Sequence, residues 1–230
     1  MVHFQTRHFP SAAALECAAE ADMERALQAN GPVAVMLSGG TTPRAIYEDL
    51  RQRQVRAASG VSVLFSDERF VSERSPDSNY GATQSLLASL GVPEARVLRV
   101  HVRGDLEAAA GRYHCDLDSF FSAGGRITLG WLGMGADGHT ASLFSREDVE
   151  RGRGYLAVAV PREVKPDRVS VTPDLLNRVE RLVILAVGWE KQEIVSRLLH
   201  DPTSLPVGMA LRTRRTVELW LAGVTPDASL

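Results

Sequence analysis

Short, nearly unbroken apolar runs recur along this chain with room for a helix between them: Val33–Leu37, Val61–Phe65, and residues 127–132 and 182–187. A strand with one wet face alternates apolar and polar residues. A continuous run is instead the pattern of a strand covered on both faces. Residues 11–29 carry Leu15, Ala18, Ala19, Met23, Ala26 and Leu27 at helical spacing, with Ser11 placed to cap the start and Gly31-Pro32 to stop the chain. Further helices are expected from Pro43, with Thr42 as cap, to about Arg53, and over residues 78–90, 105–121 and 190–199. Further strands are expected at residues 96–102, 155–160, 168–171 and 216–221, and residues 66–77 read as a polar loop. This alternation predicts an α/β fold with a mostly parallel sheet and helices on both faces. No repeat or linker divides the 230 residues, so one domain spanning 1–230 is expected, with a small excursion around residues 145–175.

Charge narrows the partners. Lys and Arg total 26 against 28 Asp and Glu, a formal −2, so the basic excess of a nucleic-acid or anionic-membrane binder is missing. The cations are almost all arginine: only Lys165 and Lys191 are lysines. Cys17 and Cys115 suit neither a disulfide scaffold nor a paired-cysteine zinc site, and are expected as buried thiols in a reducing cytoplasm. The N-terminus lacks a signal pattern and no run reaches the ~18 apolar residues of a membrane span, so a soluble cytoplasmic protein is expected.

In a parallel sheet of this kind ligands gather at the carboxyl ends of the strands, which singles out four loops. Ser38-Gly39-Gly40-Thr41-Thr42-Pro43 combines flexible backbone, hydroxyls and a helix N-terminus, the outline of a phosphate cradle without the P-loop pattern. A tight strand-to-helix turn accounts for the same glycines. After the second strand come Asp67, Glu68 and Arg69. There Arg69 suits an anion and Asp67 sugar hydroxyls, though a solvated loop has the same composition. Gly133-Met134-Gly135-Ala136-Asp137-Gly138-His139 contains a literal Gly-x-Gly-x-x-Gly, but apolar residues stand where a dinucleotide site needs an acid. An imidazole, with an ordinary pKa of roughly 6.5, offers a general base near neutrality, which makes His139 a candidate beside a structural alternative. Lys191, expected in the first turn of a helix, opposes the helix dipole and so points to an anionic ligand or to solvent. No nucleophile elbow or His-Glu-x-x-His motif is present, and Arg212-Thr213-Arg214-Arg215 reads as a solvated connector.

Taken together these segments, with Ser78-Asn79-Tyr80 and the continuation Thr140-Ala141-Ser142-Leu143-Phe144, resemble the glucosamine-6-phosphate isomerase/6-phosphogluconolactonase family in order and spacing over about residues 30–200. Ser145 and Ser72 replace prolines common there, and the last strand lacks the acid that often follows it. The resemblance implies the fold of glucosamine-6-phosphate deaminase and ribose-5-phosphate isomerase. It further implies hydrolysis of 6-phosphogluconolactone to 6-phosphogluconate in the oxidative pentose phosphate pathway. Carried over by position, His139 is the base, with Asp137 able to orient it. Ser38, Gly39, Gly40, Thr41, Thr42, Arg168 and Lys191 hold phosphate, and Asp67 and Arg69 line the sugar or phosphate side. Such hydrolysis needs neither metal nor organic cofactor. The expected partner is a small sugar-phosphate lactone, with the chain a monomer or small homo-oligomer. The competing expectations are an isomerase or amino-sugar deaminase on the same fold, with Asp67 as base, and a non-catalytic sugar-phosphate sensor. The stretches before residue 30 and after 200 look too short for the DNA-binding module that usually accompanies a sensor.

Overall fold

The computed structural model describes residues 2–225, so the extreme ends of the expected 1–230 span lie outside it. The strands are β1 (His3–Phe9), β2 (Val33–Leu37), β3 (Val61–Phe65), β4 (Asp67–Arg69), β5 (Val97–Leu98), β6 (Arg126–Gly133), β7 (Ala157–Val160), β8 (Arg168–Val171), β9 (Val179–Val187) and β10 (Thr216–Ala222). The helices are α1 (Ala12–Leu27), α2 (Thr41–Gln52), α3 (Asn79–Leu90), α4 (Leu106–Ser122), α5 (Arg146–Arg151), α6 (Pro173–Leu176), α7 (Gln192–His200) and α8 (Pro206–Leu211). Seven strands form one sheet in the order β1-β10-β9-β6-β2-β3-β5, every neighbouring pair parallel. The remaining three form a small antiparallel sheet, β4-β8-β7. The fold is therefore the α/β class expected, and the chain leaves the parallel pattern within residues 145–175 and also at β4.

The continuous apolar runs have the predicted cause. Along β2, Val33, Val35 and Leu37 enter a core shared with α1, α2 and α3, while Ala34 and Met36 face a second core with α4, α7 and α8. Two tyrosines tie these layers to the strand ends. The Tyr47 hydroxyl, from α2, accepts from Ser38 N–H (3.0 Å) and donates to Ser38 C=O (3.1 Å). From the opposite face Tyr113 of α4 does the same for Phe65, at 3.1 and 2.6 Å. Both rings are buried, and burial drives both hydroxyl pKa values far up, so they act only as neutral bridges.

Several local expectations are corrected. Gly40, not Thr42, occupies the cap of α2, with no side-chain cap bond; the helix begins at Thr41 and Pro43 falls in its third position. The loop after β3 starts with β4, whose partner β8 is remote in sequence. The strand expected over residues 96–102 shrinks to β5 because a 3-10 turn, Glu94–Arg96, takes its start. A 3-10 turn, Trp189–Lys191, likewise precedes α7, so Lys191 sits ahead of the α-helix. The strand expected from residue 155 begins at Ala157. β1 escaped notice because only Phe4 within it is buried, as suits an edge strand. Both cysteines are exposed, since they fall on the outer faces of α1 and α4. Arg214 is no solvated connector: it donates to the carbonyls of Leu176 (2.5 Å), Val179 (2.7 Å) and Glu180 (3.3 Å).

Replacing Tyr47 by Phe leaves the Ser38 N–H and C=O without their partner. Urea denaturation of Tyr47→Phe is expected to show a loss of about 1–3 kcal/mol at an unchanged m-value; unaltered stability removes the hydroxyl from the strand-end anchor.

Candidate active site

The carboxyl ends of β2, β3 and β6 meet the small sheet around a cavity of about 340 Å³. Ser38, Gly39 and Gly40 form one side of it, Asp67, Arg69 and Arg168 another, and Gly133, Gly135 and His139 a third. The structure thus brings together seven of the residues expected from sequence. Thr41 and Thr42 stand behind the first loop in the opening turn of α2. Asp137 and Lys191 also lie off the cavity wall, each bonded to the third loop.

His139 is the only imidazole on that wall among the described residues. Its Nδ1 lies 2.5 Å from Asp137 Oδ1, and its backbone N–H donates to the same oxygen at 3.2 Å. A carboxylate only accepts, so Nδ1 donates and the neutral ring keeps its lone pair on Nε2. Partial burial pushes the Asp137 carboxyl up, but the bonds from His139 outweigh it and hold it below its ordinary value. Gly135 is what leaves room for the pair: a Cβ there falls 2.2 Å from His139 Nδ1 and 2.5 Å from Asp137 Oδ1. The ring packs on Phe144, centroids 4.5 Å apart, and the Arg162 guanidinium lies 3.8 Å from the Phe144 centroid. Gly135 N–H donates to His139 C=O (2.9 Å) and Thr140 Oγ1 to Gly133 C=O (2.9 Å), folding the loop back onto the end of β6. Lys191 donates from Nζ to Met134 C=O (2.9 Å), bracing that loop from outside.

The opposite wall is cationic. Arg69 and Arg168 are direct partners across the β4–β8 pair, so their side chains share a face. Burial, then the like charge of Arg69, with Arg162 adding to it, lower the Arg168 guanidinium below its ordinary value; Asp67 opposes this. Such crowding is relieved by an anion. Arg69 donates to Asp77 C=O (2.6 Å) and Arg168 to Pro166 C=O (2.5 Å), which hold the two forks in place.

Asp67 is buried at the floor of the cavity. Its Oδ1 accepts from Ser66 Oγ (2.9 Å) and Oδ2 from Ser142 Oγ (2.7 Å), so one carboxylate joins β4 to the loop beyond His139. Sequence reasoning gave no role to Asn79, Ser142, Met134, Ala141 or Phe144, all of which line the cavity. Asn79 and Ser142 stood in segments already singled out, but a polar residue at a helix start or in a loop carries no sign of what lies opposite it. Ala141 holds φ of +49°, a left-handed conformation uncommon outside glycine and concentrated at functional sites. Among the described residues no group of three or more His, Cys, Asp or Glu side chains is placed to hold a metal ion. No helix there is long and apolar enough to cross a membrane.

A family model described as glucosamine-6-phosphate isomerases/6-phosphogluconolactonase matches residues 9–220. The 6-phosphogluconolactonase of Aggregatibacter actinomycetemcomitans is 30% identical over 181 residues, covering 76% of this chain and 77% of that protein. That of Synechocystis is 32% identical over 191 residues, 79% of each chain. The crystal structure of 6-phosphogluconolactonase from Thermotoga maritima superposes with a TM-score of 0.78 at 27% identity, covering 95% of this chain and all (100%) of that one.

In a carbon-13 NMR titration the Asp137 carboxyl is expected to have its midpoint below the ordinary carboxylate value, and His139→Ala to bring it up part of the way, because the imidazole's bond and charge are lost while the backbone N–H of residue 139 still donates to it. The pair's contribution to stability is full above the ordinary carboxylate value and disappears as pH falls through the depressed one. A midpoint unmoved by the substitution means the pair does not form in solution.

Proposed function

Because the chain belongs to the glucosamine-6-phosphate isomerase/6-phosphogluconolactonase family, we propose that it hydrolyses 6-phospho-D-glucono-1,5-lactone to 6-phospho-D-gluconate, a step of the oxidative pentose phosphate pathway. The observation that carries this reading is the Asp137–His139 pair set across one cavity from Arg69 and Arg168. A general base for water and an anion grip at the far end are what a phosphorylated lactone requires.

In the proposed mechanism Nε2 of neutral His139 takes a proton from water as its oxygen adds to the lactone carbonyl. Asp137 holds the ring and favours the imidazolium that forms. The tetrahedral intermediate then expels the ring oxygen, the imidazolium returns its proton to that oxygen, and the new carboxylic acid ionises at neutral pH. Arg69, Arg168 and the turn of Ser38, Gly39 and Gly40 take the phosphate. There the unbonded N–H groups of the glycines and the opening turn of α2 at Thr41 and Thr42 favour negative charge. Binding energy at the phosphate thereby orients the carbonyl towards His139. Lys191 serves the site through the Met134 carbonyl and adds positive charge behind it.

The isomerase or deaminase reading drafts Asp67 as a base for carbon-bound protons. Asp67 is instead committed to holding Ser66 and Ser142 at the cavity floor, which favours the lactonase.

Proton release from freshly generated lactone, corrected for spontaneous opening, tests the assignment. His139→Ala is expected to lower kcat about 10²–10⁴-fold with little change in the affinity for 6-phosphogluconate. Arg168→Ala and Lys191→Ala are expected to act chiefly on KM. Wild-type turnover in His139→Ala excludes it as the base, and ammonia release from glucosamine 6-phosphate by the wild type decides for the deaminase.

A further inference from the structure

β4 presents its side chains alternately. Asp67 and Arg69 face the proposed active site, whereas Glu68 between them turns away and lines a separate cavity of about 410 Å³. Glu68 is 3% exposed, and its carboxylate is saturated with donors. Oε1 accepts from Asn79 N–H (2.7 Å) and Arg69 N–H (2.7 Å), and Oε2 from Tyr80 N–H (2.8 Å) and Ser78 Oγ (3.1 Å). Ser78 is the cap of α3, and Asn79 and Tyr80 are its first residues, so the buried charge takes up N–H groups that a helix start leaves unpaired.

The consequence reaches the other side of the strand through Asn79. The Asn79 Nδ2 donates to Asp67 C=O (2.9 Å) and lies 3.4 Å from Asp67 Oδ1. Its Oδ1 is pressed against Gly39, where a Cβ falls only 2.4 Å away. That oxygen is buried and accepts no hydrogen bond from any described residue. An unpaired buried acceptor costs free energy, so the contact of Oδ1 with Gly39 is not held by any bonding of that oxygen. The amide is held there by its backbone and by Nδ2, and the backbone is held by Glu68.

We propose that Glu68 is a positioning residue: by clamping the first turn of α3 to β4 it holds Asn79 as a spacer between Asp67 and the turn at Ser38, Gly39 and Gly40, and so sets the width of the phosphate end of the cavity. The inference rests on the lactonase reading and deepens it, since it assigns part of the substrate's binding energy to a carboxylate that never touches substrate.

The test compares wild type, Glu68→Gln, Asn79→Ala, the double variant, and Glu73→Gln, which removes a carboxylate from the same second cavity without touching α3's first turn. Lactone hydrolysis and calorimetric binding of 6-phosphogluconate are measured for each. Glu68→Gln puts an amide donor among N–H donors, and is expected to raise KM and product Kd about tenfold while kcat stays within about threefold. The double variant is expected to match Asn79→Ala within about twofold, because Glu68 acts through Asn79. Glu73→Gln is expected to behave as wild type. Wild-type KM and Kd in Glu68→Gln, or effects that multiply in the double variant, overturn the proposal. Should Glu68→Gln not accumulate folded, Glu68→Asp, which keeps the charge but withdraws it by one methylene, is judged by the same outcomes. A wild type that hydrolyses no lactone overturns the functional reading instead. Binding of inorganic phosphate across the same variants, followed by phosphorus-31 NMR, then decides the role of Glu68 by itself.

Discussion

The parallel sheet is covered by apolar helices on both faces, and that double burial governs what the rest of the molecule can do. The apolar side chains along β2, β3, β6 and β9 are committed to one core or the other. Polar chemistry therefore gathers where the strands end, and each end must be held without help from water. Tyr47 and Tyr113 meet that need from opposite faces, each bridging the N–H and C=O of a single terminal residue. The loops that follow begin from fixed points.

The small sheet supplies the second half of the site. β4 leaves the end of β3 and pairs with β8, a hundred residues further along, which sets Arg69 opposite Arg168. Asp67 then reaches across to Ser142 and binds the small sheet to the loop carrying His139. The two arginines and the His139 imidazole face one cavity because of these two long-range links, not because of anything local to either loop. The formal −2 of the whole chain is in this light an average over a mixed surface and one concentrated cationic wall.

Much of this was legible before any coordinates. β2, β3 and β8 stand where the residue pattern put them, and Ser11 caps α1 as that pattern implies. The loops at Ser38, Asp67 and His139 also proved to share one cavity. The misreadings have a common source. The cap of α2 fell to Gly40 because a turn that must press against Asn79 dictates where the helix begins. β1 was invisible because an edge strand with one buried residue lacks an apolar pattern. Arg214 looked solvated because its three carbonyl partners lie more than thirty residues away in sequence.

By itself the sequence determined the alternation of strands and helices, the double burial of the sheet and the loops at its carboxyl edge. These follow from hydrophobic period and turn chemistry, which act over a few residues. Only the tertiary structure decided that Asp137 meets His139, that Arg69 faces Arg168, that Asp67 holds Ser142, and that Glu68 turns away from the site its neighbours line. Each of those depends on strand pairing or on the path of a loop. A side chain carries no record of the partner that topology will bring to it.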